Sequence, residues 1–232
     1  MADLIESARA ILSVSERRME ATANNVANLT TPGFKAQKLY SEVISEVSTL
    51  APGSTENVRA DLSQGRLTKT DNPLDLAIGG PGFFRLMGAD GGMVYSRHGQ
   101  FRRDGEGRLV NAQGLALQAA DGGDILLASP DAEIRPDGTL LVDGAAVARI
   151  GLFQPAEGTA TAPMGGSLFA FAEPEEVREP QLHSGMVEAS NVALADEMVA
   201  MMEAMRSAEG GARLVQTYDE LMGKAINTFG QR

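Results

Sequence analysis

The sequence contains no cysteine and no tryptophan, and it has only two histidines and three tyrosines. The missing cysteines remove disulfides, thiolate zinc sites and cysteine nucleophiles together. His98 and His183 each stand without a second histidine or a glutamate at metal-site spacing, so no imidazole metal centre is expected. No stretch reaches about 18 apolar residues, so no transmembrane helix is expected. The opening Met1-Ala2-Asp3-Leu4-Ile5-Glu6 lacks a basic segment and a long apolar run, and a cleaved secretory signal is not expected. Lysine and arginine do not cluster and the net charge is −11, which speaks against a nucleic-acid surface. G-x-S-x-G, P-loop and H-E-x-x-H motifs are absent as well.

What is present is a chain of 232 residues, 43% apolar, with 26 glycines. That length supports one or two compact domains. With so few aromatics, the core must rest on Leu, Val, Ile, Met and Ala, and the glycines point to many tight turns.

The chain has three textures. Residues 3 to 29 hold no Gly or Pro, and Ile5, Leu12, Met19 and Val26 recur every seven positions. Ala8, Ser15, Thr22 and Leu29 fall between them, which completes a narrow a/d stripe. Thr30-Thr31-Pro32-Gly33 stops it. The C-terminal end repeats the theme with Leu194, Met201, Ala208, Val215, Met222 and Phe229. Met198, Met205, Ala212 and Ile226 fill most of a second row, and Asp219 interrupts it. Ser190 or Asn191 is the expected cap of this helix, and Gly210-Gly211 predicts a weak point or kink.

The middle reads as strands and turns. Leu74 to Leu86 predicts strand, Gly79-Gly80-Pro81-Gly82 turn, strand. Asp90-Gly91, Asp104-Gly105, Asp121-Gly122, Asp137-Gly138 and Asp143-Gly144 predict hairpins between short apolar runs such as Val94–Ser96, Ile125–Leu127 and Leu140–Val142. The expected fold class is α+β: paired N- and C-terminal helices plus a central all-β, barrel- or sandwich-like domain. The expected divisions are a helix and turn over 1–36, an extended linker over 37–64, a β domain over 65–185 and a helix over 186–232.

The two stripes fit an ordinary two-helix hairpin packed within one molecule, and equally a seam completed by neighbouring subunits. Met198, Met201, Met202 and Met205 fit either plain core or an adaptable interface. Asp75, read as lying inside an apolar strand, is the most interesting carboxylate; its plain reading is a bond to local backbone or to a nearby arginine. Asp71, Glu173, Glu175 and Glu176 complete the acid–base pairs that a carbohydrate-active reading would need.

Four ordered motifs resemble the flagellar rod and hook family of axial proteins. Asn24-Asn25-Val26-Ala27-Asn28-Leu29-Thr30-Thr31-Pro32-Gly33-Phe34-Lys35 is similar to its N-terminal signature. Asn72-Pro73-Leu74-Asp75-Leu76-Ala77-Ile78, with Gly82-Phe83-Phe84, is similar to its central one. Tyr95-Ser96-Arg97-His98-Gly99-Gln100-Phe101 follows, and Ser184-Gly185-Met186-Val187-Glu188-Ala189-Ser190-Asn191-Val192 leads into the C-terminal helix. Length and the Thr-Pro-Gly-Phe wording resemble the proximal rod members, with the distal rod members as the near alternative.

The resemblance implies a structural rod subunit, not an enzyme, with no cofactor, no small-molecule substrate and no nucleic acid. It implies export through the flagellar type III apparatus without a cleaved signal, and helical assembly with other rod proteins in the basal body, within the periplasmic space. An inner axial layer would come from 1–36 with 188–230. The expected contacts are Ile5, Leu12, Met19, Val26, Leu194, Met198, Met201, Met205, Val215, Met222, Ile226 and Phe229. The competing readings are a carbohydrate-active enzyme and an adhesin-like β module with helical stalks.

Overall fold

The computed structural model describes residues 2–40, 57–88, 91–127, 129, 132–157, 159 and 161–229, with 2–4, 40, 57 and 225–229 described by backbone alone. The architecture is α+β: a helix, a long run of short strands, and a second helix. Contacts group the chain into two compact units: Met1–Ala27, Gln37–Arg59 and Ala193–Arg232 form one, Asn28–Ala36 and Ala60–Val192 the other. Most of the linker expected over 37–64 lies outside the described residues. Its ends, Gln37–Tyr40 and Asn57–Ala60, pair as a two-stranded sheet.

The first unit is a pair of antiparallel helices, α1 (Ala2–Ala27) and α2 (Leu194–Phe229). The absence of Gly and Pro lets α1 run unbroken, and Asp196 and Glu197 suit the positive end of the α2 dipole. Among the described residues of this unit, the fully buried ones are small or polar: Ala8, Ser15, Ala21, Thr22 and Asn25 on α1, and Ala204 and Gly211 on α2. The seven-residue row that closes the pair is therefore Ala8-Ser15-Thr22, while Ile5, Leu12 and Met19 are half-buried. Small side chains let two backbones approach closely, and larger ones are pushed to the flanks.

One expectation about α2, its cap, is corrected. Helix α2 runs uninterrupted through Gly210-Gly211. Gly211 is a point of close approach: a Cβ there would meet Ile11 Cγ2 and Leu12 Cγ at 3.2 Å. Neither Ser190 nor Asn191 caps the helix, whose first turn closes from the Glu197 amide to the Ala193 carbonyl at 3.1 Å. Asn191 is committed elsewhere, as described below.

The second unit packs around Leu76, Ile78, Phe84, Leu86, Phe101, Leu109, Leu117, Ile125, Leu127, Leu140, Ile150, Leu152 and their neighbours. Among the described residues, its largest sheet has nine strands and centres on Phe83–Met87. That strand pairs with Met93–Ser96 along one edge, with Phe84 opposite Ser96 and Leu86 opposite Val94. Its other edge is shared by two strands, Ala116–Leu117 at one end and Leu152–Pro155 at the other. The sheet branches there, and of the barrel- or sandwich-like forms expected, the described strands make no closed barrel. Side chains alternate across the central strand. Phe84 and Leu86 enter the main core, while Phe83 joins Tyr95, Phe153 and Phe169 on the opposite face.

The strand, turn and strand expected over 74–86 form, and the two strands belong to different sheets. Leu76–Ile78 pairs with Leu182–Ser184 in a separate two-stranded sheet. Gly80 (φ 94°) and Gly82 (φ 112°) turn the chain out of one sheet and into the other instead of back on itself. Ile125–Leu127 is not a strand; Ile125 and Leu127 are buried and Leu126 points out. Asp143-Gly144 behaves as its chemistry demands. Both residues have positive φ, 53° and 78°, and join Thr139–Val142 to Ala145–Arg149. Asp90 lies outside the described residues.

Candidate assembly site

The signature segments converge within the second unit on one buried carboxylate. Glu188 lies on the strand Met186–Glu188, paired with Leu67–Lys69. Its Oε1 accepts from Lys35 Nζ at 2.7 Å and from the Gly65 amide at 2.7 Å. Its Oε2 accepts from Arg97 Nη1 at 3.1 Å. Lys35 also donates to the Ser63 carbonyl (2.6 Å), and Arg97 Nη2 to the Gly80 carbonyl (2.7 Å). All three charged side chains are almost wholly withdrawn from solvent, at 1%, 3% and 0% exposure for Lys35, Arg97 and Glu188.

Such burial is costly unless every charge finds partners. Burial pushes the Lys35 ammonium below its ordinary range against the pull of Glu188, and nearby Arg97 pushes the same way as burial. Burial likewise pushes the Arg97 guanidinium down. Two cations on one carboxylate make the knot depend most on Glu188.

Around this knot the other signature residues are backbone clamps. Gly33 (φ 69°) donates from its amide to the Glu188 carbonyl at 2.7 Å. A Cβ at Gly33 would collide with the backbone of Arg97 and His98, so glycine is required twice over. Asn191 Oδ1 accepts from the Ala36 amide at 2.7 Å, and its Nδ2 donates to the carbonyls of Asp61 (2.8 Å) and Ser63 (3.1 Å). That is why it does not cap α2. Ser190 Oγ accepts from the Val192 amide at 3.3 Å. Phe34 packs with Ala36, Val192 and Leu29, and Pro32 is half-buried. Asn28 closes a turn with Thr31, whose amide donates to the Asn28 carbonyl at 3.1 Å.

Asp75 receives Asn72 Nδ2 at 2.9 Å in the turn before Leu76–Ile78. Asn72 Oδ1 reaches the Leu74 amide, and the Pro73 carbonyl accepts from Ser184 Oγ at 2.7 Å. Asp75 therefore binds locally, but through the side chain of Asn72, where local backbone or an arginine was expected. Asp71 pairs with Lys69 at 2.7 Å and Glu176 with Arg149 at 2.6 Å, both on the surface. Among the described residues, no three His, Asp or Glu side chains gather to hold a metal ion.

In the helical unit, Asn25 is the polar lock. Its Oδ1 accepts from the Gln37 amide (2.7 Å), and its Nδ2 donates to the Gln37 carbonyl (2.9 Å) and to Glu197 Oε1 (2.9 Å). Asn24 sits beside it on the exposed side of α1. Of the expected contact residues, Ile5, Leu12, Met19, Met201 and Val215 are half-buried. Val26, Leu194, Met198, Met205 and Met222 stand 36%, 44%, 58%, 52% and 36% exposed, which leaves a greasy outer face on α2. The side chains of Ile226 and Phe229 lie outside the described residues.

Three family models match the chain. "Flagella basal body rod protein" covers residues 12–35, "Flagellar hook protein FlgE/F/G D1 domain" covers 77–142, and "Flagellar basal body rod FlgEFG protein C-terminal" covers 183–228. The flagellar basal-body rod protein FlgF of Caulobacter vibrioides is 33% identical over 93% of both chains. This chain belongs to the flagellar basal-body rod protein family. FlgF of Mesorhizobium japonicum is 30% identical over 94% of this chain and 93% of its own. FlgG of Bacillus subtilis is 27% identical over 91% and 93%. Within the rod family the likeness is thus greatest toward FlgF.

Each matched region supplies one charge of the knot: Lys35 from the first, Arg97 from the second, Glu188 from the third. Sequence reasoning quoted all three inside separate motifs and predicted no contact among them. The signal for the two cations was present, since each is a lone cation inside an otherwise neutral motif.

Proposed function

We propose that the chain is a structural subunit of the flagellar rod, self-assembling helically with other axial proteins to transmit torque and to line part of the export channel. The observation that carries this reading is the outer face of α2. Met198, Val199, Met202 and Met205 are each at least half-exposed, on a helix whose inner row is already closed by small residues. Isolated apolar side chains are common on surfaces, but a contiguous helical stripe calls for a partner. Membership of the rod family supplies the kind of partner: neighbouring rod subunits, proximal and distal.

The inner axial layer is assigned to the terminal helices, 1–36 with 188–230, and the β domain to the outside, where it sets shape and stiffness. Helical symmetry makes each contact heterologous, so growth stays open-ended until another component stops it. The subunit reaches the periplasmic rod through the flagellar export apparatus without a cleaved signal, and it performs no catalysis. Among the described residues, no helix is long and apolar enough to cross a membrane.

The test is genetic. Deleting the gene should abolish flagella while leaving the export base intact. Met198→Asp or Met205→Asp, on the exposed face, should block motility while the purified variant keeps the β-sheet signal and melting of the parent. A swimming variant would overturn the reading. Hydrolysis of a glycan lost in Asp75→Asn, with assembly unchanged, would favour the carbohydrate-active alternative.

A further inference from the structure

Met198, Met202 and Met205 follow one another at helical spacings of four and three along α2, and they are 58%, 51% and 52% exposed. Met201, one turn-position away, is half-buried. A leucine stripe would satisfy an apolar seam equally well. Methionine brings one further chemical property, a nucleophilic thioether open to peroxide.

We infer that these three methionines are a reversible oxidation site that governs whether a free subunit can assemble. The inference rests on the α2 interface proposed above. In the reaction the sulfur lone pair attacks one oxygen of hydrogen peroxide, the O–O bond breaks, and the departing hydroxide takes the proton from the new S–OH group. The thioether becomes a sulfoxide as the peroxide is reduced to water. A methionine sulfoxide reductase returns the sulfur to its starting state, two thiols being oxidised to a disulfide as the oxygen leaves as water.

The product is polar and chiral where the seam requires an apolar side chain. Burying an S=O group without a hydrogen-bond donor opposes association. In an assembled rod the same sulfurs would be covered. The site would therefore act on subunits before incorporation and leave finished rods untouched. Met93 and Met164 are similarly exposed, at 44% and 59%, but lie in the β unit, which makes them internal controls.

The experiment has two arms. In the first, the purified full chain is treated with hydrogen peroxide and mapped by peptide mass. Met198, Met202 and Met205 should each gain one oxygen severalfold faster than Met201. Equal or slower modification than at Met201 overturns the inference.

In the second arm, a deletion strain is complemented with Met198→Leu/Met202→Leu/Met205→Leu or with Gln at the same three positions. The Leu form should swim, and the Gln form, a polar stand-in for the sulfoxide, should not. After a peroxide pulse during flagellar regrowth, the Leu strain should recover swimming severalfold faster than the wild type, while Met93→Leu/Met164→Leu should recover at the wild-type rate. A swimming Gln form sinks both the interface and the oxidation site. A non-motile Gln form with equal recovery of Leu and wild-type strains sinks the oxidation site alone.

Discussion

At the residue scale, stability concentrates on Glu188. Removing it leaves Lys35 and Arg97 facing each other without an anion in a site closed to water. Glu188→Ala should cost about 3–5 kcal/mol, the usual penalty for orphaning a buried charge. Lys35→Met should cost clearly less. Glu188 would keep Arg97 and the Gly65 amide, and the Ser63 carbonyl would keep Asn191. Urea melts of the two variants check the order, and equal losses would contradict it.

The same site predicts a pH dependence. Burial lowers the Lys35 pKa from its ordinary 10.5, so over the range between the folded value and 10.5 the unfolded chain holds more protons. Stability from this group then rises with pH across that range, and the penalty is complete below it. The stability difference between the wild type and Lys35→Met should therefore move in favour of the wild type as pH approaches 10.5. A flat difference would show that Glu188 fully offsets the desolvation.

At the scale of elements, the two neighbouring glycines of α2 should respond in opposite ways. A Cβ at Gly210 meets nothing within 4 Å, so Gly210→Ala should stabilise the helix by about 1 kcal/mol. At Gly211 the side chains of Ile11 and Leu12 are already in tight contact with that position, so Gly211→Leu should force α1 and α2 apart and lower the melting temperature. The helical stripes were legible in the sequence, because seven-residue spacing and the lack of breakers are local properties. Which row faces inward was not. Large apolar residues suggested the seam, but close packing selected Ala8, Ser15, Thr22, Ala204 and Gly211. The strands Leu76–Ile78 and Phe83–Met87 show the same limit. Their apolar character is local, whereas their partners, Leu182–Ser184 and Met93–Ser96, depend on how two glycines steer the chain.

At the scale of the molecule, the two units are built from different materials. The β unit buries Leu, Ile and Phe in quantity, and the helical unit buries chiefly Ala, Ser, Thr and Gly. Apolar burial contributes about 25 cal/mol per Å², so the helical unit gains much less per residue. In dilute monomer, amides of α1 and α2 should exchange with solvent by local opening well before those of the central sheet. Assembly should then protect them as the outer face of α2 becomes covered. Hydrogen exchange on the free and the assembled protein measures both, and equal protection of helices and sheet in the monomer would count against ordering coupled to assembly.

Sequence alone determined the helical ends, the glycine-rich β middle and membership of a family recognised by four ordered motifs, because each is written in short-range spacing. Tertiary structure alone decided that Lys35, Arg97 and Glu188, widely separated along the chain, share one dry pocket. It also decided that Ala8, Ser15 and Thr22 face inward on α1 and that Ala204 and Gly211, outside the expected stripe, do so on α2, while Met198, Met202 and Met205 remain outside. Both outcomes depend on which distant segments meet and how closely their backbones can approach, and neither is encoded in the spacing of neighbours along a single strand of sequence.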